Sequence, residues 1–327
     1  MIIRMLTKNA AIDVSIYFYK IKVMKKYCFI FPGQGSQYVG MGKDLYDKYL
    51  YVKEIYDQAE TILNLPIKKL SFEGPDTELR NTNNTQPAIL IHSIVCFEIL
   101  KSRNIEPTLA CGHSLGEYSA LYCAGVLSFE SVLKLVKQRG ELMFSEGLKK
   151  PGAMAAIIGL SESEVIELCK NSKGIVVPAN FNAPGQIVIS GEPSSVKAVC
   201  DQATIKGALK AVMLPVSGAF HSPLLRESAE SYKNYLQTFE FNRPKFPIIP
   251  NRTGTATSEL SEIRQALEEQ LINPVLWTKT ITSAINLGYL DFIEVGPGRV
   301  LAGLVKRIAP NASVISIGKI DDLEKVS

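Results

Sequence analysis

The stretch Leu109-Ala110-Cys111-Gly112-His113-Ser114-Leu115-Gly116-Glu117-Tyr118-Ser119-Ala120 decides the fold. It opens on a short apolar run, breaks at two glycines flanking a serine, and continues as a helix-forming sequence. A strand running through G-x-S-x-G into a helix is a nucleophile elbow. The turn lifts the serine hydroxyl clear of a sheet, and the helix N-terminus offers amide donors and positive potential to a developing oxyanion. Alone the pattern is weak, because glycine and serine at ordinary frequencies produce it in roughly one chain in ten of this length. The strand and helix on either side remove most of those accidents.

Outward from the elbow, Cys28-Phe29-Ile30-Phe31 is an apolar run stopped by Pro32-Gly33, the pattern of a buried parallel strand. Helical patterns cover 51–63, 87–101 and 117–124. Towards the end, Leu290-Asp291-Phe292-Ile293-Glu294 reads as a strand broken by Gly296-Pro297-Gly298, then a helix over 300–308 and a last strand over 313–317. This alternation predicts an α/β fold, a mostly parallel sheet flanked by helices with an α/β-hydrolase-like core. Between 152 and 216 the order changes: strand 154–158, helix 162–170, strands 175–181 and 186–190, helix 193–203, strand 209–216. That is the β-α-β-β-α-β of a ferredoxin-like unit. It is expected as an insert (152–216) in a catalytic core made of 24–151 and 217–327, with the substrate in the cleft between them. Residues 1–23 carry Arg4, Lys8, Asp13, Lys20 and Lys22 without a clean apolar segment or cleavage site. They read as a non-native or disordered extension before a start at Met24.

With 46% hydrophobic and 21% charged residues, the 327-residue chain has ordinary globular composition. A formal charge of +4 and the lack of any Lys/Arg block interleaved with aromatics give no sign of nucleic-acid binding. The six cysteines (Cys28, Cys96, Cys111, Cys123, Cys169, Cys200) form no C-x-x-C pair. Neither a metal site nor a disulfide framework is expected, and reduced thiols suit a cytoplasmic protein. The most apolar run, 88–100, contains His92 and Glu98 and reads as a buried helix rather than a membrane span.

A serine hydroxyl needs a base. The chain has three histidines. His92 sits mid-helix among Ile91, Ile94 and Val95, the setting of a core histidine. His113 adjoins the nucleophile, but elbow geometry turns neighbouring side chains away. His221, just past the insert, is the remaining candidate. Arg139, on a helix expected over 133–143, reads on its own as a solvated surface residue.

The blocks Phe31-Pro32-Gly33-Gln34-Gly35-Ser36-Gln37, Gly112 to Leu121, Gln138-Arg139-Gly140, Gly218-Ala219-Phe220-His221, Gln270 to Trp277 and Glu294-Val295-Gly296-Pro297-Gly298 occur in that order. Together they closely resemble the bacterial malonyl-CoA:acyl carrier protein transacylases of fatty acid synthesis, from Met24 to the final strand. The resemblance implies a ping-pong transfer of malonyl from malonyl-CoA to the phosphopantetheine thiol of acyl carrier protein, with Ser114 as nucleophile and His221 as its base. It further implies that the Gln270 backbone carbonyl orients His221, that the amides of Gln34 and Leu115 form the oxyanion hole, and that Asn180 lines the cleft. Arg139 becomes the clamp for the malonyl carboxylate, which a guanidinium can grip bidentately. Phe220 is bulkier than the residue in many fatty-acid members. It looks like the malonyl-selecting form of polyketide acyltransferases, crowding the α-carbon. No dissociable cofactor is implied, since malonyl-CoA and the carrier protein are substrates, and the expected state is a monomer. The rivals are a trans-acting polyketide acyltransferase, a Ser-His hydrolase or thioesterase, and a carrier-binding scaffold without catalysis. A hydrolase would want an acid between serine and histidine, where Asp201 is the only aspartate. A patatin-like lipase would want an Asp-Gly pair, which the chain lacks.

Overall fold

The described residues, 26–216 and 218–326 of the computed structural model, form nine strands in two sheets. The proposed extension over 1–23 and the start at Met24 lie outside the described residues. In chain order the strands are β1 (Tyr27–Phe31), β2 (Leu109–Gly112), β3 (Ala153–Ile158), β4 (Val176–Ala183), β5 (Gln186–Gly191), β6 (Lys210–Met213), β7 (Ile248–Ile249), β8 (Asp291–Val295) and β9 (Ser313–Ile317).

The first sheet has the order β7-β2-β1-β8-β9, and every pairing in it is parallel. Its central strands are buried on both faces, which is why they read as unbroken apolar runs rather than alternating ones. Parallel pairing aligns the C-terminal ends along one edge, with Phe31 opposite Gly112 and Cys111 opposite Ile249. Ligand sites of open α/β sheets form at that edge. The helix Thr82–Ser102 is buried on nearly every side, as its apolar run over 88–97, interrupted only by His92 and Ser93, requires. Among the described residues no helix is long and apolar enough to cross a membrane.

The second sheet is antiparallel with the order β4-β5-β3-β6, the ferredoxin-like arrangement. Val165, Val196 and Val199 of its two helices pack on Ala155, Ile157, Ile187 and Ile189 of the strands. The first of these helices, Glu162–Lys170, starts at a capping box in which Ser161 and Glu164 satisfy each other's backbone amides. The outer strand β4 is tied to the rest of the molecule through Val275, whose amide donates to Ala179 and whose carbonyl accepts from Phe181.

Four local expectations differ from the structure. The helix expected from 87 begins at Thr82: the Asn81 carbonyl accepts from Asn84 and Thr85, and the Thr85 hydroxyl donates to Leu79. Pro87 removes only one helical hydrogen bond, which burial of the helix offsets. The helix carrying Arg139 runs over Phe129–Lys149, from a Ser128 cap, well beyond 133–143. The last strand of the antiparallel sheet is shorter, ending at Met213. Strand β7 was not expected, because two isoleucines between Pro247 and Pro250 are too short a signal.

Candidate active site

Three strand ends of the parallel sheet build the site. After β1 the chain passes Gly33 into Gln34, after β2 it turns at Ser114, and after β7 it reaches Asn251. The elbow glycines serve close approach rather than unusual torsion. A Cβ on Gly112 would lie 2.0 Å from Gly116 backbone atoms, and one on Gly116 would lie 2.0 Å from the Phe31 carbonyl oxygen. The left-handed conformation falls on the serine itself, with φ 52°, and His221 shares it at φ 56°. Each costs a non-glycine residue about 1–2 kcal/mol, a strain that persists where surrounding contacts impose it.

Those contacts are visible at Ser114. Its N–H donates to Asn251 Oδ1 at 2.6 Å, and its carbonyl accepts from Gln270 Nε2 at 3.1 Å. Its Oγ lies 2.8 Å from His221 Nε2 and accepts from Arg139 at 3.1 Å. On the far side of the imidazole, Nδ1 lies 3.0 Å from the Gln270 carbonyl oxygen and 3.1 Å from that of Asn273. Carbonyls only accept, so Nδ1 carries the proton and Nε2 presents its lone pair to the serine. Burial, reinforced by the Arg139 charge, pushes the His221 pKa down to about 3. The imidazole is therefore neutral at physiological pH, as a proton acceptor must be.

Arg139 is 1% exposed, so the solvated reading of this residue fails. Beyond Ser114 it donates to Gln86 Oε1 at 2.7 Å and Gln270 Oε1 at 3.0 Å, and it stacks 5.5 Å from the Tyr118 ring centre. None of its three acceptors is a carboxylate. A buried cation served only by neutral oxygens is under-compensated and favours an incoming anion.

Ser114, His221, Arg139, Gln34, Leu115, Asn180 and Phe220 all line one cavity of about 110 Å³. That is room for three or four water molecules at about 30 Å³ each, the scale of a short acyl group. Leu214 and Val216, just beyond β6, close one side of it, so both sheets contribute. A register shift in β4 between Pro178 and Asn180 re-aims Asn180 towards this space. Gln270 stands behind His221. Among the described residues the backbone amides of Gln34 and Leu115 have no acceptor. Leu115 caps the helix Gly116–Cys123, whose N-terminus faces the cavity. Among the described residues, three larger grooves, one of about 620 Å³ beside Tyr51 and Tyr122, have no histidine in their linings.

The other candidates do not pair with the Ser114 hydroxyl, although His113 also lines the cavity. His92 is fully buried with Nε2 on the Gly318 carbonyl, and burial lowers its pKa to about 4. His113 turns from Ser114 to Asn182 Oδ1 at 2.8 Å and packs edge-on against Trp277. Asp201 pairs with Lys197 on the surface of the antiparallel unit.

A family model for the acyl transferase domain matches residues 28–319. The chain is 40% identical over 304 residues to the malonyl CoA-acyl carrier protein transacylase of Bacillus subtilis (strain 168), covering 92% of this chain and 96% of that one. It is 42% identical over 310 residues to the transacylase of the same name from Haemophilus influenzae, covering 93% and 98%. The chain belongs to this transacylase family. The enzyme also superimposes on solved members. An acyl carrier protein S-malonyltransferase from Vibrio cholerae matches with TM-score 0.89 and 38% identity, over 93% of this chain and all of that one. A malonyl-transacylase solved in complex with a type II PKS acyl-carrier protein matches with the same score and identity, over 92% and 98%.

Several residues of the enzyme's site escaped sequence reasoning. Gln270 contributes its side chain as well as its carbonyl, Asn273 supplies a second acceptor for His221, and Gln86 and Asn251 hold Arg139 and Ser114. Glu117, three residues past the serine, is buried with one oxygen accepting from Asn251 N and Gln270 Nε2. An acid in a helix's first turn ordinarily reads as compensation of the helix dipole, which hid it.

Proposed function

We propose that this acyltransferase moves malonyl from malonyl-CoA to the phosphopantetheine thiol of an acyl carrier protein through a malonyl ester on Ser114. The observation that carries the reading is the position of the Ser114 hydroxyl between the lone pair of a neutral imidazole and a buried guanidinium lacking a carboxylate. His221 Nε2 takes the serine proton as Oγ attacks the thioester carbonyl. The oxyanion is held by the amides of Gln34 and Leu115, coenzyme A leaves with the proton from His221, and the malonyl ester remains. The carrier thiol then repeats the cycle in reverse, its proton passing through His221 to Ser114. Ser114's own N–H is already engaged by Asn251, which supports assigning the hole to the other two amides.

Arg139 pairs with the malonyl carboxylate and fixes the thioester over the oxyanion hole. The same pairing neutralises the charge that holds His221 down, so a carboxylated donor strengthens the base and acetyl does not. Asn180 and Phe220 bound the acyl pocket, and Phe220 crowds a methyl branch on the α-carbon. Thioester-to-ester exchange involves no redox change, so no cofactor is called for, and turnover is expected to survive chelation by EDTA. The buried, unpaired state of all six cysteines supports a cytoplasmic location. A monomer remains our reading of the solution state, checked by sedimentation.

The carrier is that of fatty acid synthesis. The relative solved with a type II PKS carrier makes the polyketide carrier the competing acceptor. Initial rates with both carriers test the proposal: parallel double-reciprocal lines, preference for the fatty acid carrier and slow release of free malonate are expected. Rapid hydrolysis without an acceptor would make the enzyme a thioesterase instead.

A further inference from the structure

The proposed chemistry uses Ser114, His221 and Arg139, yet a fourth ionisable group, Glu117, is buried among them and touches none of the reacting atoms. Its Oε2 accepts from the Asn251 backbone N–H at 3.0 Å and from Gln270 Nε2 at 2.8 Å. Each recipient holds one end of the Ser114 residue. The Asn251 side chain accepts from Ser114 N–H and donates to the Gly112 carbonyl, and Gln270 Nε2 donates to the Ser114 carbonyl. Gln270 also aims its Oε1 at Arg139 and its backbone carbonyl at His221.

The amide of Gln270 has two orientations, and Glu117 favours the same one that the Arg139 donor and the Ser114 carbonyl require. With a carboxylate oxygen facing it, the amide must point Nε2 inward and Oε1 at the guanidinium. Turned over, it would set Oε1 against Glu117 and a donor against Arg139. The amide also stands between Glu117 and Arg139, so the two are linked through a neutral group rather than by a direct ion pair.

We propose that Glu117 is the positioning residue of this site: a single carboxylate oxygen, through Asn251 and Gln270, fixes the left-handed Ser114 backbone and the Arg139 clamp together. The inference rests on the malonyl-transfer reading for its substrate, although the hydrogen-bond hub stands on the geometry. Glu117 Oε1 has no partner among the described residues, so a glutamine at this position can keep the bridging oxygen. Loss of the hub would misplace both nucleophile and clamp, and misplacement on the ångström scale costs about 10- to 100-fold.

The test compares Glu117→Gln and Glu117→Ala with the wild-type protein in full-length form. In Glu117→Ala, kcat/KM for malonyl-CoA should fall about 10- to 100-fold and the malonyl-to-acetyl ratio should drop with it. Glu117→Gln should retain both within a few-fold. Labelling of Ser114 by a serine-directed fluorophosphonate, which needs no malonyl, should slow in Glu117→Ala alone. A folded Glu117→Ala protein with unchanged malonyl-to-acetyl ratio and unchanged labelling overturns the inference, as does a Glu117→Gln protein as impaired as the alanine variant. Should the alanine variant not fold, Glu117→Asp, one methylene shorter with the same charge, carries the same readouts. If wild type takes no malonyl yet labels faster than Glu117→Ala, the substrate reading fails and the positioning role survives.

Discussion

A guanidinium buried at 1% exposure and hydrogen-bonded only to amide and hydroxyl oxygens is costly unless an anion joins it. This cost makes Arg139 the residue that selects the donor. Arg139→Ala should lower kcat/KM for malonyl-CoA by about 2–5 kcal/mol, a loss of roughly 30-fold or more, while acetyl transfer falls far less. Unchanged malonyl kinetics would remove the clamp. His221 yields a second expectation. Burial and then Arg139 hold its pKa near 3, so the free enzyme's base is fully neutral across the working range. The kcat/KM profile for malonyl-CoA should stay flat on its acid side from pH 8 down to about 5.5, and an acid limb at the ordinary histidine pKa near 6.5 would contradict this. At this scale Ser114 and His221 were legible because a motif and a count of three histidines left few choices. Arg139 was not, since nothing in its helical neighbourhood reveals burial, and its role came only from resemblance. Glu117, Asn251 and Gln86 stayed hidden because ordinary polar residues gain their roles only from what tertiary packing sets beside them.

The elbow is an element-scale device in which strand, turn and helix pack too closely for side chains. Gly116→Ala would set a methyl 2.0 Å from the Phe31 carbonyl, and backbone cannot yield as a flexible side chain does. We expect a clear fall in melting temperature and loss of Ser114 labelling. Gly303, within the helix Val300–Ile308, is the control, because a methyl there would meet no atom within 4 Å. Gly303→Ala should stabilise by about 0.5–1 kcal/mol, measured by urea unfolding. Equal effects at both positions would contradict the close-approach account. The β-α-β-β-α-β stretch was readable because its strands and helices alternate in period and length. Strand β7 was not, although it decides where Asn251 sits. Two residues between prolines carry no periodicity, and only pairing with β2 makes them a strand.

Across the whole molecule, three histidines are held neutral by burial, with pKa values of about 4 for His92, about 3 for His221, and lowered for His113. Below about pH 6.5 the unfolded chain binds protons that the folded chain refuses, so stability falls as pH falls, by up to about 1.4 kcal/mol per pH unit for each histidine. Glu117, raised by burial to about 7, works the other way between about 7 and 4.5, because there the folded state holds the extra proton. Glu294, also raised by burial, adds to Glu117. Three histidines against these two carboxyls leave a net loss, so the urea midpoint should be lower at pH 5 than at pH 7.5, and an equal or higher midpoint would count against this balance. Beneath all of this lies the claim that one serine carries the acyl group between two thioesters. Acid-quenched protein, mixed with malonyl-CoA and mapped by mass spectrometry, tests it most directly. The account predicts a single malonyl ester on Ser114, absent from Ser114→Ala and discharged when phosphopantetheinyl carrier protein is added. Transfer to the carrier with no adduct on Ser114, or with the adduct on another residue, would contradict it.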